Sequence, residues 1–361
     1  MLAAALGGAT PGPGEPHEPA GSDAVHEPVL RDRVTALLAT PDPGLVIDAT
    51  VGAGGHARAL LEASHPETTL LGIDRDADAL AVADARLADW GERVALVHGA
   101  FDEVLSDLEA VVADPGPVRA ILLDLGVSSL QLDTPERGFS LRFDAPLDLR
   151  MDPSQGEPAR ALLERLDEPE LTALLRDLGE ERHARRIARA LVRARPITTT
   201  GALAEVVAGA VPTPARHGPR HPATRTFQAL RLAVNGELER VRAALPPALA
   251  RLAAPDPAGG RGGRLAVLAY HSLEDRPVKR ALATAAQGCV CPPDLPVCGC
   301  GRTPTVRLLT RGAERPDDAE VARNPRARSA RLRAAERLPD TSSSDVASRA
   351  GAPQPPPPPT A

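Results

Sequence analysis

The chain has 361 residues, 43% hydrophobic and 25% charged, with 42 basic against 48 acidic side chains and a formal net charge of −6. That content suits one large globular domain or two smaller ones, and no apolar run approaches the roughly 20 residues of a membrane-spanning helix. Met1 to Gly14 has no basic leader region and only a short apolar patch, so no secretory signal is expected and the chain reads as cytoplasmic, without a membrane partner.

Taken in order, residues 1–22 are rich in Gly, Pro and Ala and read as a disordered tail. Apolar runs at 45–49, 69–73, 94–98 and 120–125 then alternate with helical patterns near 56–64, 76–88 and 102–112. Strands alternating with helices over short links predict an α/β fold, a doubly wound parallel sheet. Around residue 131 the strand signal stops, and from about 155 to 250 the apolar period is helical, with Ile187, Ala190 and Leu191 able to share a face. Strand character returns at Arg264–Tyr270 and Thr305–Leu309. The pattern predicts an all-helical insertion, residues 131–240, in a discontinuous domain formed by 23–130 and 241–338. Residues 339–361, Ser-rich and ending in the run Pro355–Pro359, read as a second disordered tail.

Charge is uneven along the chain. Lys279 is the single lysine, so arginine clusters partly reflect composition; even so, residues 181–240 carry a net +7 and residues 302–337 a net +5, leaving −18 for the rest. Basic surfaces on an acidic body can face phosphates, although solvated helix faces would give the same count.

The stretch Val46–His56 reads Val-Ile-Asp-Ala-Thr-Val-Gly-Ala-Gly-Gly-His. An apolar strand that ends in glycines before a helix lets backbone N–H groups approach a ligand. Gly52-Ala-Gly-Gly-His-Ala57 also fits the dinucleotide pattern G-x-G-x-x-G/A, with Asp74 closing the next strand about 20 residues on. Asp74 can accept ribose hydroxyls in either cofactor class, or cap the following helix. The register Asp48-x-Thr50-x-Gly52-x-Gly54 resembles instead the D-x-G-x-G-x-G loop of class I methyltransferases, with Thr in the first Gly place. Asp124, ending Ala120-Ile-Leu-Leu-Asp, suits a nitrogen target whose amino group it can orient and whose proton it can accept.

Beyond Asp124 the blocks Asp124-Leu-Gly-Val-Ser-Ser-Leu-Gln-Leu-Asp, Arg137-Gly-Phe-Ser, Pro146-Leu-Asp-Leu-Arg-Met-Asp, Gly179-Glu-Glu-Arg-His-Ala-Arg-Arg, His221-Pro-Ala-Thr-Arg-Thr-Phe-Gln, His271-Ser-Leu-Glu-Asp-Arg and Asn324-Pro-Arg-Ala-Arg-Ser follow in order. Over roughly residues 25–337 the chain resembles the bacterial MraW/RsmH family of 16S rRNA cytosine-N4 methyltransferases. It departs at Tyr270, where Phe is usual, at Leu130, where Pro is common, and in its long tails. The resemblance implies a class I S-adenosylmethionine-dependent methyltransferase fold with an inserted helical domain. It implies cofactor contacts from Gly54, Gly55, His56, Asp74, Phe101, Asp124 and Gln131, and as partner 16S rRNA in the small ribosomal subunit. The enzyme would act as a monomer or homodimer.

Asp124 is the first candidate proton acceptor, with His271 and Asp275 as weaker ones. Arg185, Arg186, Arg189, Arg220 and Arg225 are the candidate phosphate contacts, with help from Arg326, Arg328, Arg331 and Arg333. Five of the six aromatic residues, Phe101, Phe139, Phe143, Phe227 and Tyr270, fall in the motif blocks or the segments that flank and precede them, where a base drawn from its stack would need flat faces. Cys289, Cys291, Cys298 and Cys300 form a C-x-C-x6-C-x-C cluster. This spacing fits a structural zinc knuckle or four reduced thiols in a loop. Three other readings are a methyltransferase for another RNA, an RNA-binding assembly factor with a silent cofactor pocket, and an NAD oxidoreductase. Intact Asp74, Asp124 and the glycine loop disfavour the assembly factor, and the second strand-end acid and the long motif blocks disfavour the oxidoreductase.

Overall fold

The computed structural model describes residues 27–213, 221–257, 259–292 and 299–340; the tails at 1–22 and 341–361, Arg220 and Cys298 lie outside the described residues. Seven strands form one sheet: β1 (Leu45–Asp48), β2 (Thr69–Asp74), β3 (Val94–His98), β4 (Val118–Asp124), β5 (Arg264–Ala269), β6 (Val306–Leu308) and β7 (Arg331–Arg337). Their order is β3-β2-β1-β4-β5-β7-β6. Strands β1 to β5 pair in parallel, while β7 runs antiparallel to both β5 and β6. The chain winds outward from β1 in one direction and from β4 in the other, so the switch point lies between these two neighbours. The doubly wound sheet expected from the alternation is present.

Both sheet faces are covered, as the unbroken apolar strands require. Ile121 and Leu123 of β4 enter one core; Ala120 and Leu122 enter the other. Helices α1 (Arg31–Leu38), α2 (Gly55–Ala63) and α3 (Ala77–Leu87) cover the second face through Val34, Leu60 and Ala83. Helix α4 (Phe101–Ser106) contributes Val104 and Leu105 to the first.

After β4 come the short helix α5 (Ser129–Asp133) and then α6 (Ala159–Arg165), α7 (Glu168–Gly179), α8 (Ala184–Arg193), α9 (Thr200–Ala210) and α10 (Thr224–Asn235). Leu147 and Leu149 join the apolar faces of α6 to α10 in a third core, separate from the sheet. In α8, Ala184, Ile187, Ala188 and Leu191 are buried and the arginines point out. Gly236, in the left-handed region at φ 60°, turns the chain out of this core into α11 (Glu237–Arg251). Val241, Ala244, Leu245 and Ala248 of α11 pack back on the sheet. Helix α12 (Ser272–Ala286) follows β5, and α13 (Asp318–Arg323) precedes β7.

Strand β7 carries no strand signal in the sequence. Arg331-Leu-Arg-Ala-Ala-Glu-Arg is made largely of helix-favouring residues. Pairing on both edges, with Leu332, Ala334 and Ala335 buried, overrides that preference. Among the described residues no helix is long and apolar enough to cross a membrane.

Candidate active site

The loop between β1 and α2 turns on two glycines with positive φ, Gly52 (51°) and Gly54 (79°), a conformation that β-carbon crowding makes costly for other residues. Thr50, in the place where the related loop pattern has Gly, accepts a hydrogen bond on Oγ1 from the Asp124 backbone N–H at 2.7 Å. The hydroxyl therefore ties the β1–α2 loop to the end of β4. Gly55 is fixed by packing: a β-carbon there would come within 2.6 Å of Pro28 Cγ.

Asp48, Asp74 and Asp124 end β1, β2 and β4 on the carboxyl side of the sheet. Asp74 accepts from the Gly52 N–H at 2.8 Å and the Asp76 N–H at 2.9 Å. Burial raises the Asp74 pKa, and these two amides partly offset the rise. The acid that caps α3 is Asp76, which accepts from the Asp78 N–H. Asp48 is buried, with Oδ2 lacking a hydrogen-bond partner. Burial pushes its pKa up to about 8, and the charges of Asp124 and Asp74 add to the rise.

Asp124 sits between two side chains from distant parts of the chain. The Tyr270 hydroxyl donates to Oδ1 at 2.8 Å, and His56 Nε2 lies 3.7 Å from Oδ2. About a quarter of the Asp124 side chain (24%) faces solvent. Burial against protein raises its pKa to about 7, against the lowering effect of the tyrosine hydrogen bond. His56 is buried, and neither ring nitrogen has a hydrogen-bond partner. Desolvation, helped by the charge of Arg31, lowers its pKa to about 4, so the ring is neutral near pH 7.

Of the other expected cofactor residues, Phe101 is the first residue of α4 and packs, partly buried, against the sheet core beside Val97. Gln131 is buried; its Nε2 donates to Asp76 Oδ2 at 2.9 Å and its Oε1 accepts from the Ser128 N–H, capping α5. Arg137 pairs with Asp76 at 2.9 Å. Asp76 and Arg137 thus join the β2 end to the start of the helical insertion, a role that neither residue shows in the sequence.

The two weaker acid–base candidates are occupied. His271 caps α12, its Nδ1 accepting from the Glu274 N–H, and its Nε2 lies 3.0 Å from Glu274 Oε1. Asp275 pairs with Arg333 at 2.6 Å and with Arg331 at 3.4 Å. Burial works to raise the Asp275 pKa, but hydrogen bonds and charge from these arginines hold it below the usual range.

The arginine candidates divide. Arg185 and Arg186 are exposed on α8, whereas Arg189 pairs with Glu168 at 3.2 Å and Arg225 donates to the Glu180 carbonyl. Arg231 and Arg240, also counted in the +7 segment, bind Glu237 and Asp102. A cleft of about 350 Å³ lies where the β2 loop meets the α10–α11 corner, lined by Arg75, Arg150, Arg240, Asp152 and Asn235 among others. It excludes Asp48, Asp124 and Tyr270.

The acids fit a cationic cofactor. Three strand-end carboxylates, two of them pushed towards neutrality by burial and the third also raised, favour a positively charged ligand, and the sulfonium and ammonium groups of S-adenosylmethionine supply that charge.

The profile of the MraW methylase family matches residues 23–338. The chain is similar to proteins named ribosomal RNA small subunit methyltransferase H. That of Heliobacterium modesticaldum is 47% identical over 319 residues, covering 87% of this chain and 98% of its own length. The Frankia alni protein is 52% identical over 320 residues (87% and 95%). The Thermobifida fusca protein is 50% identical over 324 residues (88% and 95%).

Proposed function

The chain belongs to the MraW methylase family, and on that premise we propose that it methylates the N4 amino group of a cytidine in the decoding region of 16S rRNA. It is an S-adenosylmethionine-dependent small-subunit rRNA methyltransferase. The observation that carries the chemistry is Asp124, at the switch point of the sheet, held by Tyr270 on one oxygen with neutral His56 near the other.

When bound, S-adenosylmethionine supplies an electrophilic methyl group on a cationic sulfur. The glycine turn at Gly52–Gly55 and His56 form the loop that would receive its methionine end, Asp74 its ribose and Phe101 its adenine face. The lone pair of cytosine N4 is delocalised into the ring, so the site must orient the amino group and take its proton. Asp124 is suited to both tasks. A carboxylate titrating at about 7 is far more basic than an exposed one and still ionises near neutral pH. Tyr270 fixes Oδ1 and leaves Oδ2 to accept from the amine; when N4 takes the methyl group and the carbon–sulfur bond breaks to leave a neutral thioether, Asp124 would take the N4 proton. His271 and Asp275 are disfavoured because capping and ion pairing engage them.

The same reading divides the chain into a methyltransferase domain, 23–130 and 241–338, and an RNA-recognition insertion, 131–240. The separate third core supports that division. Arg185 and Arg186 are its leading phosphate contacts, and the substrate is rRNA in the small subunit.

The deciding experiment supplies labelled S-adenosylmethionine and small-subunit particles lacking the modification, followed by nucleoside mass spectrometry. N4-methylcytidine is the expected product. Label in another nucleoside, or in none, would refute the assignment.

A further inference from the structure

We propose that Cys289, Cys291 and Cys300 form a thiolate site for a zinc-class divalent cation, which knots the connection between α12 and β6. Their three sulfurs lie within 4.8 Å of one another, although Cys289 and Cys300 are eleven residues apart. The Cys289–Cys300 separation is 3.7 Å. That is far longer than a disulfide of about 2.05 Å. It matches the roughly 3.8 Å between sulfurs that each sit about 2.3 Å from a tetrahedral zinc ion.

Two further features support the site. The Cys291 backbone N–H points at Cys289 Sγ, 3.4 Å away, and such a hydrogen bond stabilises a thiolate over a thiol. The base of the connection is closed by the Thr305 N–H, which donates to the Ala285 carbonyl at 2.9 Å. The thiols therefore sit at the head of an excursion whose ends are already joined.

Among the described residues of this connection, burial supplies little cohesion. Cys289 and Val290 are exposed, and no residue between Ala286 and Pro304 belongs to a hydrophobic cluster among the described residues. Described residues that join no apolar core need another cross-link to hold one shape. Strand β6, which it leads into, has three residues and forms the edge of the sheet. Fixing the loop holds β6 against β7 and shields an edge otherwise open to pairing with another chain.

Binding converts three thiols to thiolates and releases three protons, leaving the metal and its three sulfurs with one net negative charge. The three described thiols suffice for the proposal; a fourth ligand completes the tetrahedron.

The test is metal analysis of the full chain, purified without chelator or histidine tag, together with cobalt titration of the reduced protein. About one equivalent of zinc is expected, and cobalt should give the intense thiolate-to-metal charge-transfer bands of a tetrahedral sulfur site. C289S and C300S should each lose the metal and the bands. Should either variant misfold, chelator treatment of the unmodified chain gives the same information: stripping zinc should increase proteolysis between Ala286 and Pro304. Zinc below about a tenth of an equivalent, with no cobalt bands from the reduced chain, would overturn the site. So would metal retained in both cysteine variants.

Discussion

The Tyr270 hydroxyl bonds Asp124, the residue assigned to proton acceptance. Burial raises the Asp124 pKa to about 7, and the tyrosine hydrogen bond restrains that rise. Activity needs the ionised carboxylate, which is present above this pKa. Removing the hydroxyl in Y270F should raise the pKa further and move the acid limb of kcat/KM to higher pH, by about one unit for a hydrogen bond to a charged acceptor. An unmoved limb would show that another group takes the proton. Asp74 is assigned a different step, ribose binding. In D74A the Gly52 and Asp76 amides lose their acceptor along with the ribose partner, so S-adenosylmethionine affinity measured by calorimetry should fall at least about 100-fold. Unchanged affinity would remove Asp74 from the cofactor site. The glycine turn and the strand-end acids were legible because turn chemistry and strand termination are local. The Tyr270–Asp124 bond was not, since its partners are 146 residues apart.

Helices α10, α11 and α12 meet at a buried ion pair. Arg231 holds Glu237 through two hydrogen bonds of 2.9 and 3.0 Å, and Glu274, almost wholly buried, lies 3.7 Å from the same guanidinium. Glu274 in turn accepts from the Tyr270 and His271 backbone N–H groups. The last helix of the third core is thereby linked to the turn that carries Tyr270. R231A would leave buried Glu237 without its hydrogen-bonded counter-ion, while Glu274 keeps His271 and two backbone amides. It should lower stability by roughly 3–5 kcal/mol in urea unfolding, because an unpaired buried charge keeps its desolvation penalty. A loss below about 1 kcal/mol would mean that water already screens the pair. Apolar periodicity located α8 and the strands of the first half, since amphipathic spacing reports which face is covered. It did not show β7, whose pairing with β5 and β6 is fixed by neighbours rather than by its own residues.

Charge is where the whole molecule departs most from its linear sequence. The +7 of residues 181–240 is partly neutralised by acids from outside that segment: Glu168 meets Arg189, and Asp102 and Glu103 meet Arg240. The unpaired basic surface of this segment is smaller than the count implied, and the exposed Arg185 and Arg186 lie on the outer face of α8. Reversing Arg185 and Arg186 together (R185E/R186E) should weaken RNA binding without changing S-adenosylmethionine affinity. It should also lower the slope of log affinity against log salt by about two, near one for each phosphate that is no longer neutralised. An unchanged slope would place the RNA elsewhere, with the arginine-lined cleft beside the β2 loop as the next surface to alter.

The sequence by itself determined the alternating sheet, the glycine turn at Asp48–His56, the family and the close sequence spacing of the cysteines, because each depends on residues near one another along the chain. Tertiary structure alone decided which arginines are held by acids, that β7 is a strand, and that Tyr270 and His56 flank Asp124. The physical reason is common to all three. Ion pairing, strand pairing and desolvation depend on neighbours in space, and folding brings those neighbours from segments that no local pattern connects.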